Sequence, residues 1–432
     1  MTISLSAQDI DIIGAISSSV ILSNQDQIPF WMHTNTNTAL GATTNVTSTG
    51  EINATYHFKS SFLEVGAAVF YRDGVEDNFQ RRDVYVRYKN SWLSTTLGAK
   101  KQDAEQEGLS VTNKNFIWSS NARPLTGFIV EANNPLKASS TFAIDWGIAH
   151  YSLNDDRYVS DTWVHYKRLG LIVTFNENHK ITARIQHFAQ WAGTSPTYGD
   201  LPDDFSAFIE VFFAKETTAE GENINALGNH IGSYLLDYEF KTSIGDFSVY
   251  HEHPFEDGSG SRLANFPDGV WGVYFSPKKT KFMSNLLYEY IDTTDQSGSS
   301  GVSGRDNYFN NNLYRSGWTY EGNIIGVPLI FADSSIQITD ATSPIVSNRV
   351  RAHHFGVMGS FKNIDWTLKT TYSKSLGTYN TPFIPTLETW FNYVSFSYNT
   401  DKYGEFMGLG GVDFSPETDT IIGGGISYKY IF

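Results

Sequence analysis

The residues with the greatest capacity for chemistry lie in the stretch HEHPFEDGSG, which starts at His251. His251 and His253 are two positions apart, so on a β-strand they share one face and could form a metal pair or a His/Asp base. The alternative, which we favour, is that both imidazoles form hydrogen bonds inside the lumen of a barrel. Glu256 and Asp257 are adjacent, and adjacent strand residues point to opposite faces, so a glycosidase carboxylate pair is not expected.

Other catalytic signatures are missing from the sequence. GxSxG, HExxH and P-loop motifs do not occur. His353 and His354 are neighbours that point to opposite faces of a strand, so they cannot act together. The chain has no cysteine, which rules out disulfides and thiolate metal sites. We therefore predict a protein that is not an enzyme and that uses no metal and no cofactor.

Three loop stretches combine aromatic side chains with carboxylates and amides, which is the mixture that carbohydrate sites use. An aromatic ring packs against the apolar C–H face of a sugar, and carboxylates and amides bond its hydroxyls. The stretches contain Trp191 with Tyr198, Asp203 and Asp204; Glu256 and Asp257 near Asp268 and Trp271; and Arg305 to Tyr308 before Trp318. The predicted polysaccharide-binding residues are Trp191, Tyr198, Asp257, Arg305, Asp306 and Tyr308.

Each of these stretches has a structural alternative. Trp191 and Trp271 could instead belong to a belt of aromatic residues at a membrane interface. Arg305 and Asp306 could form an ion pair that joins one loop to another. The sequence Pro267-Asp268-Gly269 has the composition of a turn.

The composition favours a membrane barrel as the scaffold that positions these loops. Aromatic residues make up 15% of the chain, yet the mean hydropathy is only −0.29. No run of about 18 apolar residues occurs, so a membrane-spanning helix is not expected. A transmembrane barrel fits both values, because only every second strand residue faces lipid. A soluble β-sandwich or propeller is the alternative, and it would have to hide far more aromatic surface than this polar composition suggests.

The chain is expected to form one domain. It has 432 residues, and no Pro/Gly/Ser linker or shift in composition divides it. Residues 9–432 are therefore predicted to form a single outer-membrane β-barrel domain, and residues 1–8 to be a remnant of a secretory signal peptide. The net charge of −15 argues against nucleic acid as a partner.

Short turns and long loops alternate along the sequence. Eight tight turns are rich in Lys, Asn and Ser, and long connections separate the hairpins that they close. With both termini on the short-turn side, eight turns predict an all-β antiparallel barrel of about 18 strands with long extracellular loops. The predicted long connections are Arg72–Arg82, Lys101–Pro124, His187–Ile231, Glu252–Gly269, Ile291–Arg349 and Lys374–Thr389.

The two ends of the chain are predicted to meet. The last strand alternates apolar and small residues up to the terminal Phe432, and it must pair with the first strand to leave no open edge. The stretch DIDIIGAISSSVIL, which starts at Asp9, is rich in β-branched residues and is predicted to be a strand.

The ordered set of loop stretches resembles the Wzi family of outer-membrane capsule assembly proteins. The stretches are IPFWMHTN, NFIWSSNARPLTGFIV, IQHFAQWAGTSPTYGDLPDDF, SVYHEHPFEDGSGSRLANFPDGVWGVYF, LLYEYIDTTDQSG, GRDNYFNNNLYRSGWTYEGNIIGVP and SNRVRAHHFGVMG. The resemblance extends from about Pro29 to Phe432. It implies an 18-stranded barrel in the outer membrane of a Gram-negative bacterium, with its loops facing the cell exterior.

The same resemblance implies a lectin-like role. The expected partners are capsular or exopolysaccharide, outer-membrane lipid and the barrel-assembly machinery during insertion. Members of the family carry an N-terminal helical plug, whereas the strand pattern that starts at Asp9 predicts that the plug is absent or reduced. A porin-like channel for saccharides or other solutes is therefore the alternative function.

Overall fold

The computed structural model describes residues 10–215, 226–256, 258–297, 306–400 and 402–432. No α-helix in these ranges is long and apolar enough to cross a membrane. The helices α1 (Phe30–His33) and α2 (Phe205–Phe213) lie in connections between strands. The barrel strands are β1 (Ile10–Ser23), β2 (Val46–His57), β3 (Ser61–Arg72), β4 (Phe79–Asn90), β5 (Leu93–Ala99), β6 (Thr126–Ala132), β7 (Phe142–Leu153), β8 (Thr162–Asn176), β9 (His179–Trp191), β10 (Asn229–Lys241), β11 (Gly245–Phe255), β12 (Gly269–Pro277), β13 (Asn285–Asp292), β14 (Val350–Phe361), β15 (Ile364–Gly377), β16 (Pro382–Thr400), β17 (Gly404–Phe414) and β18 (Ile421–Ile431).

These strands form one closed antiparallel sheet. Hydrogen bonding joins 19 strand segments into this sheet. The two-residue segment Leu136–Lys137 pairs with β7, as β6 does, and is counted as a continuation of β6. The described chain therefore contains 18 barrel strands. Strand β18 pairs with β1 and closes the barrel, with registers from Ala15↔Ile431 to Ser23↔Gly423. The prediction of an all-β barrel of about 18 strands is confirmed, and the stretch near the N-terminus that was predicted to be a strand forms β1.

The C-terminal residue completes the seam between β1 and β18. The backbone N–H of Gly14 donates to the Phe432 carbonyl, and the N–H of Phe432 donates to the Gly14 carbonyl, both at 2.9 Å. The Phe432 ring lies over Gly14, and a Cβ at position 14 would be 2.5 Å from that ring. Ile422, Ile426 and Phe432 are exposed on the outer wall. The predicted apolar outer face of the last strand is therefore present.

The two rims of the barrel differ, as the turn chemistry predicts. Eight short connections lie at one rim, which we call the short-turn rim, and the other connections lie at the long-loop rim. One predicted long connection is wrong: β15 and β16 continue through Lys374–Thr389 and leave only residues 378–381 between them. The two prolines of that stretch argue against a strand. The sheet accommodates them at the start of β16, where the register with β15 shifts between Ser375 and Gly377.

The hydrophobic core lies inside the barrel. Residues 100–125, which we call the lumen segment, and residues 306–349, which we call the capping loop, fold inward from the long-loop rim. Both are connections between strands, yet their apolar side chains are buried against strand residues that face the lumen. The buried members include Leu109, Val111, Phe116, Ile117, Trp118, Tyr308, Phe309, Trp318, Ile325 and Val327.

Helix α2 lies on the outer wall of the barrel near the long-loop rim. Its buried residue Val211 packs in one cluster with Trp191, which ends β9 on the outward-facing side. Lys167 of β8 donates its Nζ–H to the carbonyl of Phe212 at the end of the helix. The opposite face of α2 exposes Phe205 and Phe213. The helix therefore covers polar outer-wall residues and presents aromatic ones in their place.

Candidate functional site

Two buried carboxylates attach the lumen segment to the far wall of the barrel. Glu289 of β13 is fully buried and accepts hydrogen bonds from Ser110 Oγ at 2.7 Å and from the Val111 backbone N–H at 2.8 Å. Glu252 of β11 is also fully buried and accepts from the Phe116 backbone N–H at 2.8 Å. Because buried backbone donors need acceptors, these two residues fix the path of the segment across the lumen.

The capping loop packs directly on the lumen segment. Trp318 donates its Nε1–H to the carbonyl of Ile117 at 2.6 Å. The backbone N–H of Val327 donates to the Phe116 carbonyl at 2.9 Å. These bonds join the two loops into one packed layer that occupies the barrel interior beneath the long-loop rim.

A cavity of about 390 Å³ opens beside this layer, and we call it the rim cavity. Its aromatic lining comes from Phe30, Phe331 and Phe391, and its polar lining includes Asn323 and Asp413. The rings of Phe30 and Phe391 are stacked with centroids 4.4 Å apart. The cavity also touches Thr418 and Asp419, which lie in the connection from β17 to β18 at the long-loop rim. Aromatic faces next to a carboxylate and an amide suit a sugar.

Asp413 supplies a hydrogen-bond acceptor to the rim cavity. Asp413 is 7% exposed; its Oδ2 accepts from the Phe30 backbone N–H at 2.7 Å, and its buried Oδ1 has no partner in the described part of the chain. Burial lowers the pKa of His33 to about 4, so its imidazole is neutral at neutral pH. Asp413 Oδ1 is thus available to accept a hydrogen bond from a ligand hydroxyl.

The six residues predicted from sequence do not converge on this cavity. Trp191 is 2% exposed and lies beneath α2, where its indole packs against the helix. Tyr198 is 47% exposed in the connection between β9 and β10. Asp257 and Arg305 lie outside the described residues. Of these four, Tyr198 alone has a described side chain that a large ligand could reach.

Asp306 and Tyr308 organise the loops from within. Tyr308 is fully buried and donates its hydroxyl to Asp268 Oδ2 at 2.9 Å. Asp268 also accepts from the backbone N–H groups of residues 295 and 296 at 3.0 and 2.9 Å, and burial raises its pKa to about 7. Asp306 Oδ2 accepts from Ser297 Oγ at 3.0 Å. The turn residue Asp268 is therefore a centre of loop packing, and the binding role of Asp306 and Tyr308 stays a prediction.

His251 and His253 share a face, as predicted, but that face is the outer wall. Glu252, between them, points into the lumen, so both imidazoles point outward. The His251 ring stacks on Trp271 with centroids 3.7 Å apart, and His253 Nδ1 lies 3.1 Å from the Asp268 carbonyl. The prediction of lumen hydrogen bonding is therefore wrong. Among the described residues, no group of three or more His, Asp or Glu side chains could hold a metal ion.

Sequence reasoning did not single out the residues of the rim cavity. Phe30 occurs in the quoted stretch IPFWMHTN, and Asp413 lies in the run GLGGVDF. The sequence signal that could have found Asp413 is its position in a glycine-rich strand, because a carboxylate on a membrane strand must face a polar or enclosed space. Phe331 and Phe391 carry no such signal and are brought to the cavity by tertiary packing.

Comparison with known proteins gives the same architecture. The chain superposes on Wzi of Escherichia coli, an outer-membrane protein involved in group 1 capsule assembly and described as a carbohydrate-binding β-barrel, with a TM-score of 0.65 at 14% identity over 98% of this chain and 85% of that one. OpdL of Pseudomonas aeruginosa matches with a TM-score of 0.53 at 7% identity, over 98% of this chain and 99% of its own. A BenF-like porin from Pseudomonas fluorescens Pf-5 matches with a TM-score of 0.52 at 10% identity, over 98% and 99%.

The solved structures share the fold with this chain, and the sequence itself shows the family. No curated protein sequence matches the chain. The family described as capsule assembly protein Wzi matches residues 14–333, which is more than half of the 432 residues. The inward-folded loops and the closed 18-stranded sheet are consistent with this family match. The chain belongs to the capsule assembly protein Wzi family.

Proposed function

We propose that this protein holds capsular or exopolysaccharide at the cell surface without catalysing a reaction. The long-loop rim faces the cell exterior in this proposal, and the polysaccharide contacts the loops there. The observation that carries it is the rim cavity, which combines stacked aromatic rings with an acceptor on Asp413 that has no protein partner among the described residues. Such a site binds a neutral or hydroxyl-rich sugar unit by C–H stacking and hydroxyl donation.

The lumen segment is the observation that speaks against the channel alternative. A saccharide channel needs a continuous polar path, whereas here Glu252 and Glu289 hold residues 100–125 across the barrel. The capping loop then packs on that segment through Trp318 and Val327. Passage of a sugar would require these buried bonds to open, so retention fits the geometry better than transport.

The experiment compares capsule retention with bilayer conductance for one protein preparation. Cells that lack the protein are complemented with wild type or with the rim-cavity variants Phe391→Ala and Asp413→Asn. We expect both variants to bind polysaccharide about tenfold more weakly, because Phe391→Ala loses a stacking surface and Asp413→Asn loses a carboxyl acceptor. In Asp413→Asn the amide oxygen can still accept from the Phe30 N–H, so the loop keeps its local bond.

Phe396→Ala is the matched control, since Phe396 lies on β16 with Phe391 but is exposed on the outer wall. It should retain polysaccharide like wild type. Tyr198→Ala tests the exposed member of the predicted binding set. Steady large conductance together with unchanged retention in both rim-cavity variants would reject the proposal and favour a channel.

A further inference from the structure

A second cavity lies on the other side of the lumen segment, and we call it the vestibule. Its volume is about 450 Å³. Its wall includes Lys89, Thr182 and Glu239, which lie within a few residues of short turns. Its ceiling includes Lys114 and Trp118 of the lumen segment. The vestibule is therefore on the short-turn side of the barrel, separated from the rim cavity by the packed loops.

The vestibule is basic although the protein is acidic. The whole chain has 31 Lys and Arg against 46 Asp and Glu. Basic side chains nevertheless outnumber acidic ones among the residues that line this cavity. The basic ones are Arg87, Lys89, Lys100, Lys101, Lys114, Arg168 and Arg184, and the acidic ones are Asp103, Glu105, Glu131, Asp237 and Glu239.

Several of these cations are neutralised within the protein. Lys114 pairs with Asp237 at 2.5 Å, Arg168 with Glu131 at 2.8 Å, and Arg87 with Glu64 at 2.6 Å. Lys100 also pairs with Asp103 at 3.4 Å and Lys101 with Glu51 at 3.7 Å, so these five pairs include every vestibule cation but two. They do not include Arg184 of β9 or Lys89 of β4.

Arg184 and Lys89 are the two vestibule cations without a direct partner in the described ranges, and carboxylates act on them only through space: Glu252 on Arg184, and Asp103 and Glu131 on Lys89. No side-chain hydrogen bond or ion pair joins either of them to another residue in the described ranges, and Arg184 Nε is buried without an acceptor. A buried guanidinium N–H without an acceptor costs free energy, and an oxyanion bound in the cavity would supply that acceptor. A planar guanidinium bonds two oxygens of a carboxylate or phosphate, and an ammonium adds a point charge.

We propose that the vestibule binds an acidic sugar through Arg184 and Lys89. The cavity is far larger than a bare anion, and its wall carries the aromatic residues Tyr151 and Tyr166, against which a sugar ring can lie. The bound oxyanion is a carboxylate or a phosphate, since both present the same pair of acceptor oxygens. This site is separate from the polysaccharide site proposed above, and binding here involves no passage through the lumen segment.

The test titrates the full-length protein in detergent with glucuronate, glucose 6-phosphate and glucose, followed by ligand-observed NMR. Both acidic sugars should bind more tightly than glucose, and binding should weaken as ionic strength rises. A preference for glucuronate assigns a carboxylate ligand, and a preference for glucose 6-phosphate assigns a phosphate ligand. Binding of glucose with equal affinity, or of neither acidic sugar, would overturn the proposal.

Charge-removing variants locate the site. Arg184→Gln and Lys89→Gln should each weaken binding of the acidic sugar about tenfold. Lys278→Gln is the control, because Lys278 lies at the short-turn rim and pairs with Asp246 at 3.0 Å outside the vestibule. Heat-modifiable gel migration identifies folded protein, and if Arg184→Gln does not fold, Lys89→Gln decides the question. Wild-type affinity in the folded variants would refute the assignment.

The same titration separates this proposal from the function proposed for the rim. Asp413→Asn should bind the acidic sugar like wild type, because Asp413 lies in the rim cavity. If Asp413→Asn loses capsule retention but still binds the acidic sugar, both sites are supported. Intact retention in the Asp413 variant would count against the rim site alone.

Discussion

The attachment of the lumen segment can be tested by removing the Glu289 carboxylate. In Glu289→Ala, the Val111 N–H loses its acceptor at 2.8 Å. The Tyr250 hydroxyl also donates to Glu289, at 2.6 Å, and in the variant both Ser110 and Tyr250 keep a weaker second partner. An orphaned buried donor costs about 1–3 kcal/mol. With the partial losses at Ser110 and Tyr250 and the cavity left by the side chain, we expect about 2–5 kcal/mol of local destabilisation.

The substitution should loosen the lumen segment and leave the barrel strands intact. The 18-stranded sheet keeps its ladder bonds, so Glu289→Ala should still migrate as a folded barrel on unboiled gels. The released segment should raise single-channel conductance and the rate of backbone hydrogen exchange in residues 108–116. Glu289→Gln should behave in an intermediate way, because its amide oxygen can still accept from the Val111 N–H.

The matched control is Glu177→Ala, a carboxylate in the exposed turn between β8 and β9. It should leave conductance and exchange unchanged. If Glu289→Ala and the double variant with Glu252→Ala both show wild-type conductance and exchange, then these carboxylates do not hold the segment. Buried acceptors would then not be what fixes the path of the segment.

Three further outcomes are expected. Gly14→Leu and Phe432→Asp should both reduce the amount of folded barrel in the outer membrane. The leucine side chain clashes with the Phe432 ring, and the aspartate places a charge on the outer wall at a cost of up to about 2–4 kcal/mol. Wild-type levels of either variant would contradict the seam geometry. The pKa of Asp268 is raised by burial from its usual value to about 7, so the stability of the loops around it should be greatest below pH 4 and fall as pH rises through 7. Hydrogen exchange of the two amides that donate to Asp268 should show this fall, and Asp268→Asn should remove it. Phe205→Asp with Phe213→Asp places two charges on the exposed aromatic face of α2 and should increase proteolysis in the connection after β9, while leaving barrel migration unchanged.

The barrel could be predicted because its signals are local. Alternation with a period of two and Lys/Asn/Ser turns each depend on a few neighbouring residues, and eight such turns determine the strand number. The strand that starts at Ile10 was predictable for the same reason. Alternation alone does not state which face is inward, and so His251 and His253 were assigned to the wrong side of the wall.

The loops could not be predicted in the same way, because their structure depends on distant partners. Val111 and Phe116 owe their positions to carboxylates more than one hundred residues away in the sequence. Trp191 has the composition of a sugar-binding residue, yet α2 covers it on the outer wall. Aromatic content therefore identified the loops as unusual without separating ligand contacts from packing.

The path of the lumen segment has a consequence for the order of assembly. Its bonds reach Glu252 on β11, Glu289 on β13 and His354 on β14, although the segment itself follows β5. None of these partners can be in place while the sheet is still an open ribbon. Filling of the interior must therefore come late, after the ribbon has curled, and the high sequence separation of these contacts predicts slow maturation after insertion. A newly closed barrel would pass through a leaky stage that ends when residues 100–125 settle on the far wall.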